Sequence, residues 1–414
     1  MESIKLLHLS DSPLTTTGFS SQSLFLMNGL AKKGYDISYQ THNFPSQMLK
    51  KGCIKLSDDV PLNFDLYGSG KEQYSKDLII PRIRELKPDI FSTLLDTFML
   101  YGWYEHQNFA PALSSWWYPS DGGGGLPLNC ENILKKINIP VAMSRHGQRQ
   151  VKAIHNIDTH HIPHGVDTDL FKPISEKAKD DLKQKWGLTD KFVVGSVFRN
   201  QPRKMADRLI KGFYGFAKKH EDAVLLLHCD PNDISAPFNL NVLINRYKLN
   251  NRVLFTGMNF FNTFTYEKLV DVYNLMDVFA LSTSGEGFGV PIIEAMSCGV
   301  PSVVTDYTTS REFLSEGGQC GELVNLAGVE TLGDDYFSNE ADTNMRNGTL
   351  TGSWNVERGI MSTDSMTEKF NKLYQDRELL RKYSKVCREK AVYSYDFKKV
   401  IYAWDSLYRG KLNG

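Results

Sequence analysis

No stretch of this 414-residue sequence approaches the ~18 consecutive apolar residues of a membrane-spanning helix, and its N-terminus lacks a signal peptide. A cytoplasmic protein is therefore expected. Net charge is lacking too, since 48 Lys and Arg balance 48 Asp and Glu. That argues against nucleic acid or another polyanion as the main partner, while leaving room for a local basic patch. Cysteine is sparse and unpatterned: Cys53, Cys130, Cys229, Cys298, Cys320 and Cys387 contain no C-x-x-C spacing. Cys229 and Cys298 lie in or beside apolar segments, so free buried thiols are expected rather than bridges or zinc. Repeats and low-complexity tracts are absent. What is present is ordinary globular composition, 41% hydrophobic and 23% charged, at a length that suits two domains.

The most informative stretch runs from Ser282 to Thr305. An apolar strand candidate, Val278–Leu281, leads into a turn carrying Gly285, Gly287 and Gly289, expected to be flexible. Pro291 suits the first turn of a helix because its φ is preset and no amide donor is needed. The helix is predicted to end at Ser297 with Gly299 as a left-handed cap, and Ser302–Thr305 is the next buried strand. Amides at such a loop and helix start carry partial positive charge and suit an anionic or hydroxyl-rich ligand. Glu286 and Glu294 bracket the loop with seven residues between them. A carboxylate can accept two hydrogen bonds from vicinal hydroxyls, so one can hold a ribose and the other a second sugar. The plainer reading is a βαβ unit with two surface glutamates.

The whole string resembles the E-x7-E signature of retaining nucleotide-sugar glycosyltransferases of GT-B fold, the family 4 type. The resemblance implies two Rossmann-like α/β domains facing a cleft. It implies that Glu294 holds the ribose, and that Glu286 with Gly287, Phe288, Gly289 and Val290 cradles the donor sugar. A second string, Pro163–Pro173 with Gly165, Val166, Asp167, Phe171 and Pro173, is similar to the family's interdomain segment. That sets the domains at 1–165, completed by a helix at about 392–414, and 166–391. Histidines at 160, 161 and 164 lack ligand spacing and Pro163 interrupts them, so no metal site is expected.

Within the first domain, Ile4–Leu9, a polar loop, a helix over about Ser20–Lys33 and the strand Tyr35–Gln40 form a Rossmann-like opening. Where the family has a paired glycine this loop has only Gly18, whose amide the resemblance brings towards the donor diphosphate or the acceptor; otherwise it is a turn glycine. Further strands are expected at Pro88–Leu95, Ala112–Tyr118 and Ile139–Ser144, with a helix over Ile79–Leu86. Trp116, Trp117 and Tyr118 alternate across their strand, placing at least one in the core and leaving another to stack on a sugar. Asp121 borders four glycines, Gly122–Gly125, and either caps the turn or helps acceptor binding or catalysis, as a His or Asp near this place does in the resembled family. Arg145, Arg149 and Lys152 give the following helix a basic face. That face is solvated, or it meets a phosphate-bearing acceptor or a membrane surface.

In the second domain the strand Phe192–Phe198 leads to Arg199, Arg203 and Lys204 before a helix over Ala206–Lys218. The resemblance puts Arg199 and Lys204 on the donor's phosphates. Met205 replaces the glycine that usually follows the lysine, and Arg203 is an additional cation. Strands Ala223–His228 and Val253–Gly257 follow, and the loop after Gly257 is implied to border the nucleotide base. Residues about 325–362 form an insertion without clear periodicity. Helices are expected over Asp364–Tyr383 and Arg388–Tyr408, the last crossing back onto the first domain.

The implied activity is retaining transfer from a nucleoside diphosphate sugar, UDP or GDP first, to a glycan, lipid-linked or small-molecule hydroxyl. Arg199 and Lys204 would stabilise the leaving diphosphate without a metal, and no cofactor is required. Catalysis would draw on Glu286, Asp121, Arg199 and Lys204, and donor binding on Gly18, Gly257 and the glutamate loop. Domain closure would exclude water. A phosphorylase, a nucleotide-sugar epimerase or a non-catalytic binding protein are the alternatives. Peripheral membrane contact and oligomeric state stay open.

Overall fold

The computed structural model describes residues 3–413 except 44–46, 53–60, 101–103, 105–108, 110, 127–129, 234–235, 237, 258–264 and 333–355. Cys53, the loop after Gly257 and most of the insertion expected at 325–362 lie outside the described residues. Two compact units divide the chain: Met1–Gly165, Leu332–Val356 and Phe397–Gly414 form one, Val166–Thr331 and Glu357–Asp396 the other.

The first unit is built on a parallel sheet of β1 (Ile4–Ser10), β2 (Tyr35–Thr41), β3 (Asp65–Tyr67), β4 (Ile90–Thr93), β5 (Leu113–Tyr118), β6 (Ile139–Ala142) and β7 (His160–His161). Its order is β3-β2-β1-β4-β5-β6-β7. The connecting helices include α1 (Gly18–Lys32), α2 (Lys76–Leu86), α3 (Cys130–Lys136) and α4 (Arg145–His155). Parallel strands covered by helices are buried on both faces; β4 and β6 are buried at every position, and the polar Ser92 and Thr93 of β4 are buried with the rest. The order reverses between β1 and β4, so a switch point opens at their carboxyl ends.

Trp116, Trp117 and Tyr118 are all buried, with Trp116 Nε1 donating to Leu95 O, Trp117 Nε1 to Ile162 O and Tyr118 sharing a hydrogen bond with Thr159. The expectation that one of them stacks on a sugar is therefore corrected: a central parallel strand has no open face.

In the second unit β8 (Phe192–Val197), β9 (Ala223–His228), β10 (Val253–Phe255), β11 (Val278–Leu281), β12 (Ser302–Thr305) and β13 (Gly321–Val324) form a sheet of order β10-β9-β8-β11-β12-β13. All its pairings are parallel. Helices α5 (Glu176–Lys185), α6 (Ala206–Ala217), α7 (Leu240–Arg246), α8 (Tyr266–Leu275), α9 (Val290–Ser297) and α10 (Ser310–Leu314) alternate with the strands. The reversal now falls between β8 and β11, whose carboxyl ends lead into the cation-bearing and glutamate-bearing loops. The ends of the insertion are a two-stranded sheet, β14 (Leu326–Leu332) with β15 (Val356–Met361).

The C-terminal helices break differently from the sequence expectation. Three are found, Thr363–Gln375, Arg377–Ser394 and Phe397–Asn413. The first break is set by Asp376, whose carboxylate accepts from the Leu379 amide at 2.8 Å as an N-cap. At the second, Val166 N donates to Tyr395 O at 2.8 Å and Thr168 Oγ1 to Asp396 Oδ2 at 2.5 Å. Those partners are more than two hundred residues away, and helical periodicity carries no trace of them. The last helix packs on α1, where a Cβ on Gly29 would lie 2.3 Å from Ile401 Cδ1. Among the described residues no helix is long and apolar enough to cross a membrane.

Candidate active site

The site grows from the switch point of the second sheet. After β8 the chain turns through Arg199–Lys204; after β11 it turns through Ser282–Gly289. Backbone and hydroxyl groups tie these two loops together. Ser284 N donates to Arg203 O at 2.7 Å, and Ser282 Oγ donates to Lys204 O at 2.7 Å and Met205 O at 3.0 Å. Thr308 Oγ1 accepts from the Glu286 amide at 3.0 Å, and Thr309 Oγ1 donates to Phe288 O at 2.7 Å. Residues 282–289 are buried, so the turn expected to be flexible is instead a packed, hydrogen-bonded loop.

Gly289 caps α9 at φ +108, a backbone conformation that favours glycine. At the other end Gly299, at φ +70, closes α9: Gly299 N bonds Met296 O and Val300 N bonds Ala295 O. This pair of bonds is the Schellman closure that the sequence position of the glycine predicts.

Glu286 is 4% exposed and holds one cation on each oxygen. Lys204 Nζ lies 2.5 Å from Oε1 and Arg203 Nη1 2.9 Å from Oε2. Burial alone raises a carboxyl's proton affinity, but Lys204 and then Arg203 outweigh it and hold Glu286 down to about 2. The carboxylate is ionised at any physiological pH. Glu294, five residues into α9, has the opposite setting. It is partly accessible, and its Oε2 accepts from Tyr273 OH at 2.6 Å. Burial raises it to about 7, with the tyrosine hydrogen bond opposing that rise. Two glutamates on one loop and helix therefore carry different charges near neutrality.

Arg199 sits apart from this cluster, its Nε 2.9 Å from Asp233 Oδ2 and its side chain 53% exposed. Gly257 follows β10 at the sheet edge with φ +81 and open space where a Cβ would be. Met205 occupies left-handed space at φ +44, ψ +49, at the N-cap of α6. Glycine adopts that conformation without cost, which accounts physically for the glycine usual there in the resembled pattern; a methionine bears about 1 kcal/mol of strain.

At the first unit's switch point the chemistry is different. Asp11 accepts from Thr17 Oγ1 through one oxygen and pairs with His42 Nε2 at 2.8 Å through the other. Thr17 caps α1, accepting from Ser20 N at 3.1 Å, and Gly18 beside it is exposed. Asp121 follows β5 and is partly buried; with Arg149 opposing, it is one of the charges acting on His146, whose Nε2 meets Gly122 O at 3.0 Å. Arg145, Arg149 and Lys152 are exposed on α4, with Lys152 paired to Asp158 at 2.9 Å.

Sequence reasoning missed two partners. Arg203 was an extra charge beside Lys204, and only the loop pairing aims it at Glu286. Tyr273 lies on α8 with no motif around it, and nothing in its local sequence signals a bond to Glu294.

A reversed parallel sheet in each unit, with ionised and polar groups gathered at the strand ends, is the α/β architecture of the GT-B fold. Residues 178–336 match the family described as Glycosyl transferases group 1. Mannosylfructose-phosphate synthase of Agrobacterium fabrum is 32% identical over 151 residues, 35% of this chain and 32% of that protein. D-inositol 3-phosphate glycosyltransferase of Mycolicibacterium smegmatis is 32% identical over 161 residues, 37% of this chain and 34% of that protein. The chain thus spans about a third of the length of these curated relatives. Sucrose-phosphate synthase of Thermosynechococcus elongatus superposes with a TM-score of 0.76 at 16% identity, covering 99% of each chain. HepE of Anabaena, in complex with UDP and glucose, gives 0.71 at 16% identity, covering 98% of this chain and all of that one. These two solved structures share the fold.

Proposed function

We propose that this protein is a retaining glycosyltransferase that moves a sugar from a nucleoside diphosphate sugar to a hydroxyl acceptor. The observation that carries the reading is the ionised Glu286 beside Lys204 and Arg203, at the switch point of the sheet in the part of the chain that matches the group 1 glycosyltransferases. A departing diphosphate gains negative charge as the glycosidic bond breaks, and preorganised cations, Lys204 buried and Arg203 partly exposed, stabilise it where it develops. Lys204 is the central cation of that role. Glu286 and the amides of Gly287–Gly289, continued by Val290, face the donor sugar, and Glu294 accepts from the ribose hydroxyls. UDP is the first nucleotide to test, because HepE, which shares the fold, is described with UDP and UDP-glucose. The acceptor is a sugar, lipid-linked or polymer hydroxyl, with Asp121 and the Gly18 loop as its candidate contacts in the first unit.

No metal is required for the phosphate, because two protein cations supply the charge. The test is turnover: release of nucleoside diphosphate from a panel of UDP-, GDP- and ADP-sugars over a range of acceptors. Release by wild type that Glu286→Ala abolishes supports the reading. Binding without release from any donor or acceptor would count against an enzyme.

A further inference from the structure

Glu286 has both oxygens committed to cations, one to Lys204 at 2.5 Å and one to Arg203 at 2.9 Å. In this state each of its oxygens already accepts from a charged donor, the strongest kind of partner a carboxylate takes. Each cation meets one oxygen of the same carboxylate, so the pair can equally meet two oxygens of one diphosphate. Lys204 is 8% exposed, whereas the Arg203 side chain keeps 32% of its surface. The pair is therefore buried at one end and open at the other.

The loops that present the pair are held together by bonds other than those of the Glu286 carboxylate, with Arg203 Nη1 also donating to Gly285 O at 3.3 Å. They are joined by the Ser282, Thr283 and Ser284 bonds to the backbone of Arg203–Met205. The Glu286 side chain can leave its partners without dismantling either loop. Arg199, by contrast, points to Asp233 on the loop after β9.

We propose that Glu286 is the built-in counter-ion of a two-cation seat made by Arg203 and Lys204, and that the donor's diphosphate displaces it from that seat. This rests on the glycosyltransferase reading and deepens it. The exchange is one of anions: the diphosphate takes the two N–H donors, and the released carboxylate turns to the hydroxyls of the donor sugar. Before donor arrives Glu286 cancels one of the seat's two positive charges. Afterwards Glu286 becomes a sugar contact only when a diphosphate is present. Arg203, not Arg199, is the second phosphate cation in this account, and it acts as a binding and positioning residue.

The test is calorimetric titration of the full chain with inorganic diphosphate and, separately, with UDP, GDP and ADP. Removing the competing anion by Glu286→Gln tightens inorganic diphosphate by about tenfold, close to 1.4 kcal/mol, although the same change abolishes turnover. Arg203→Gln weakens it by about tenfold or more, and Arg199→Gln by less than about threefold. Arg203 is partly exposed, so that variant keeps the test open if Glu286→Gln folds poorly. Unchanged or weaker diphosphate binding by folded Glu286→Gln overturns the displacement, as does an Arg199→Gln loss larger than that of Arg203→Gln. If wild type binds a nucleoside diphosphate under either of those results, the donor reading stands and only the exchange falls. If wild type binds none of the diphosphates, both fall.

Discussion

The two sheets share a topology and differ in what they hold at the point of reversal. In the second unit the ends of β8 and β11 bring together a lysine, an arginine and a buried carboxylate. In the first, the end of β1 brings Asp11 to His42 and Thr17, with no arginine or lysine among those partners. A parallel Rossmann-like sheet of itself offers only a crevice. On the proposed reading charge decides what enters it: a buried lysine with a partly exposed arginine suits a diphosphate, whereas a carboxylate with hydroxyl and imidazole partners suits neutral hydroxyl-bearing groups. The comparison teaches that one sheet topology can present quite different charge at its point of reversal.

The largest effect should come from breaking the charged cluster of the second unit. Glu286→Ala leaves Lys204 in its buried position without that carboxylate and should cost about 3 kcal/mol of stability at pH 7. The sign follows from the depressed proton affinity of Glu286, about 2 in the fold against an ordinary 4.5. Its contribution is complete above pH 4.5 and disappears as pH falls towards 2, so wild type and variant should converge in acid unfolding. A pH-independent gap would mean that the carboxylate acts through packing.

Next in size is the charge state of Glu294. With a midpoint of about 7, its carboxylate is mostly ionised at pH 8 and mostly protonated at pH 6. Only the ionised form accepts from both ribose hydroxyls, so nucleoside diphosphate affinity should fall by about five- to tenfold from pH 8 to pH 6. Titrations of Glu294→Gln across the same range should be flat and uniformly weak.

The first unit provides the contrast. Asp11→Ala removes the acceptor for Thr17 and His42 and should cost about 1 kcal/mol. Nucleoside diphosphate affinity should remain within about twofold of wild type, since a change of that size is under 0.5 kcal/mol. A large loss of nucleotide affinity in that variant would break the division of labour.

Tyr273→Phe should give the smallest change, about 0.5–1 kcal/mol in stability. Because the tyrosine hydroxyl opposes the rise at Glu294, removing it should move the midpoint of nucleotide binding to higher pH. A shift to lower pH would show that another group sets the titration.

Much of the fold was legible because doubly covered parallel strands are short apolar runs bounded by glycine and polar turns. Ala223–His228 is buried at every position, and the strand was evident from its residues alone. The α9 boundaries were equally plain, since Pro291 and Gly299 mark them locally. Of the candidate site, the two glutamates were visible by their spacing, and Lys204 by its position after a strand. Their meeting was a matter of tertiary structure: 82 residues separate Lys204 from Glu286. That is why Arg203 read as surplus charge and Tyr273 was silent. The helix break near Asp396 was illegible for a related reason, being fixed by bonds to Val166 and Thr168, whereas the one at Asp376 is a local N-cap that the residues themselves carry.

The most direct measurement is a thermal-shift screen of UDP-, GDP- and ADP-sugars on wild type, Lys204→Ala and Glu294→Ala. A ligand at about 100 times its dissociation constant adds roughly 2.7 kcal/mol to the folded state, a shift easily resolved. The account predicts that one nucleotide class stabilises wild type and neither variant. Stabilisation of all three proteins alike, or of none by any donor, would contradict a donor site built on Lys204, Glu286 and Glu294.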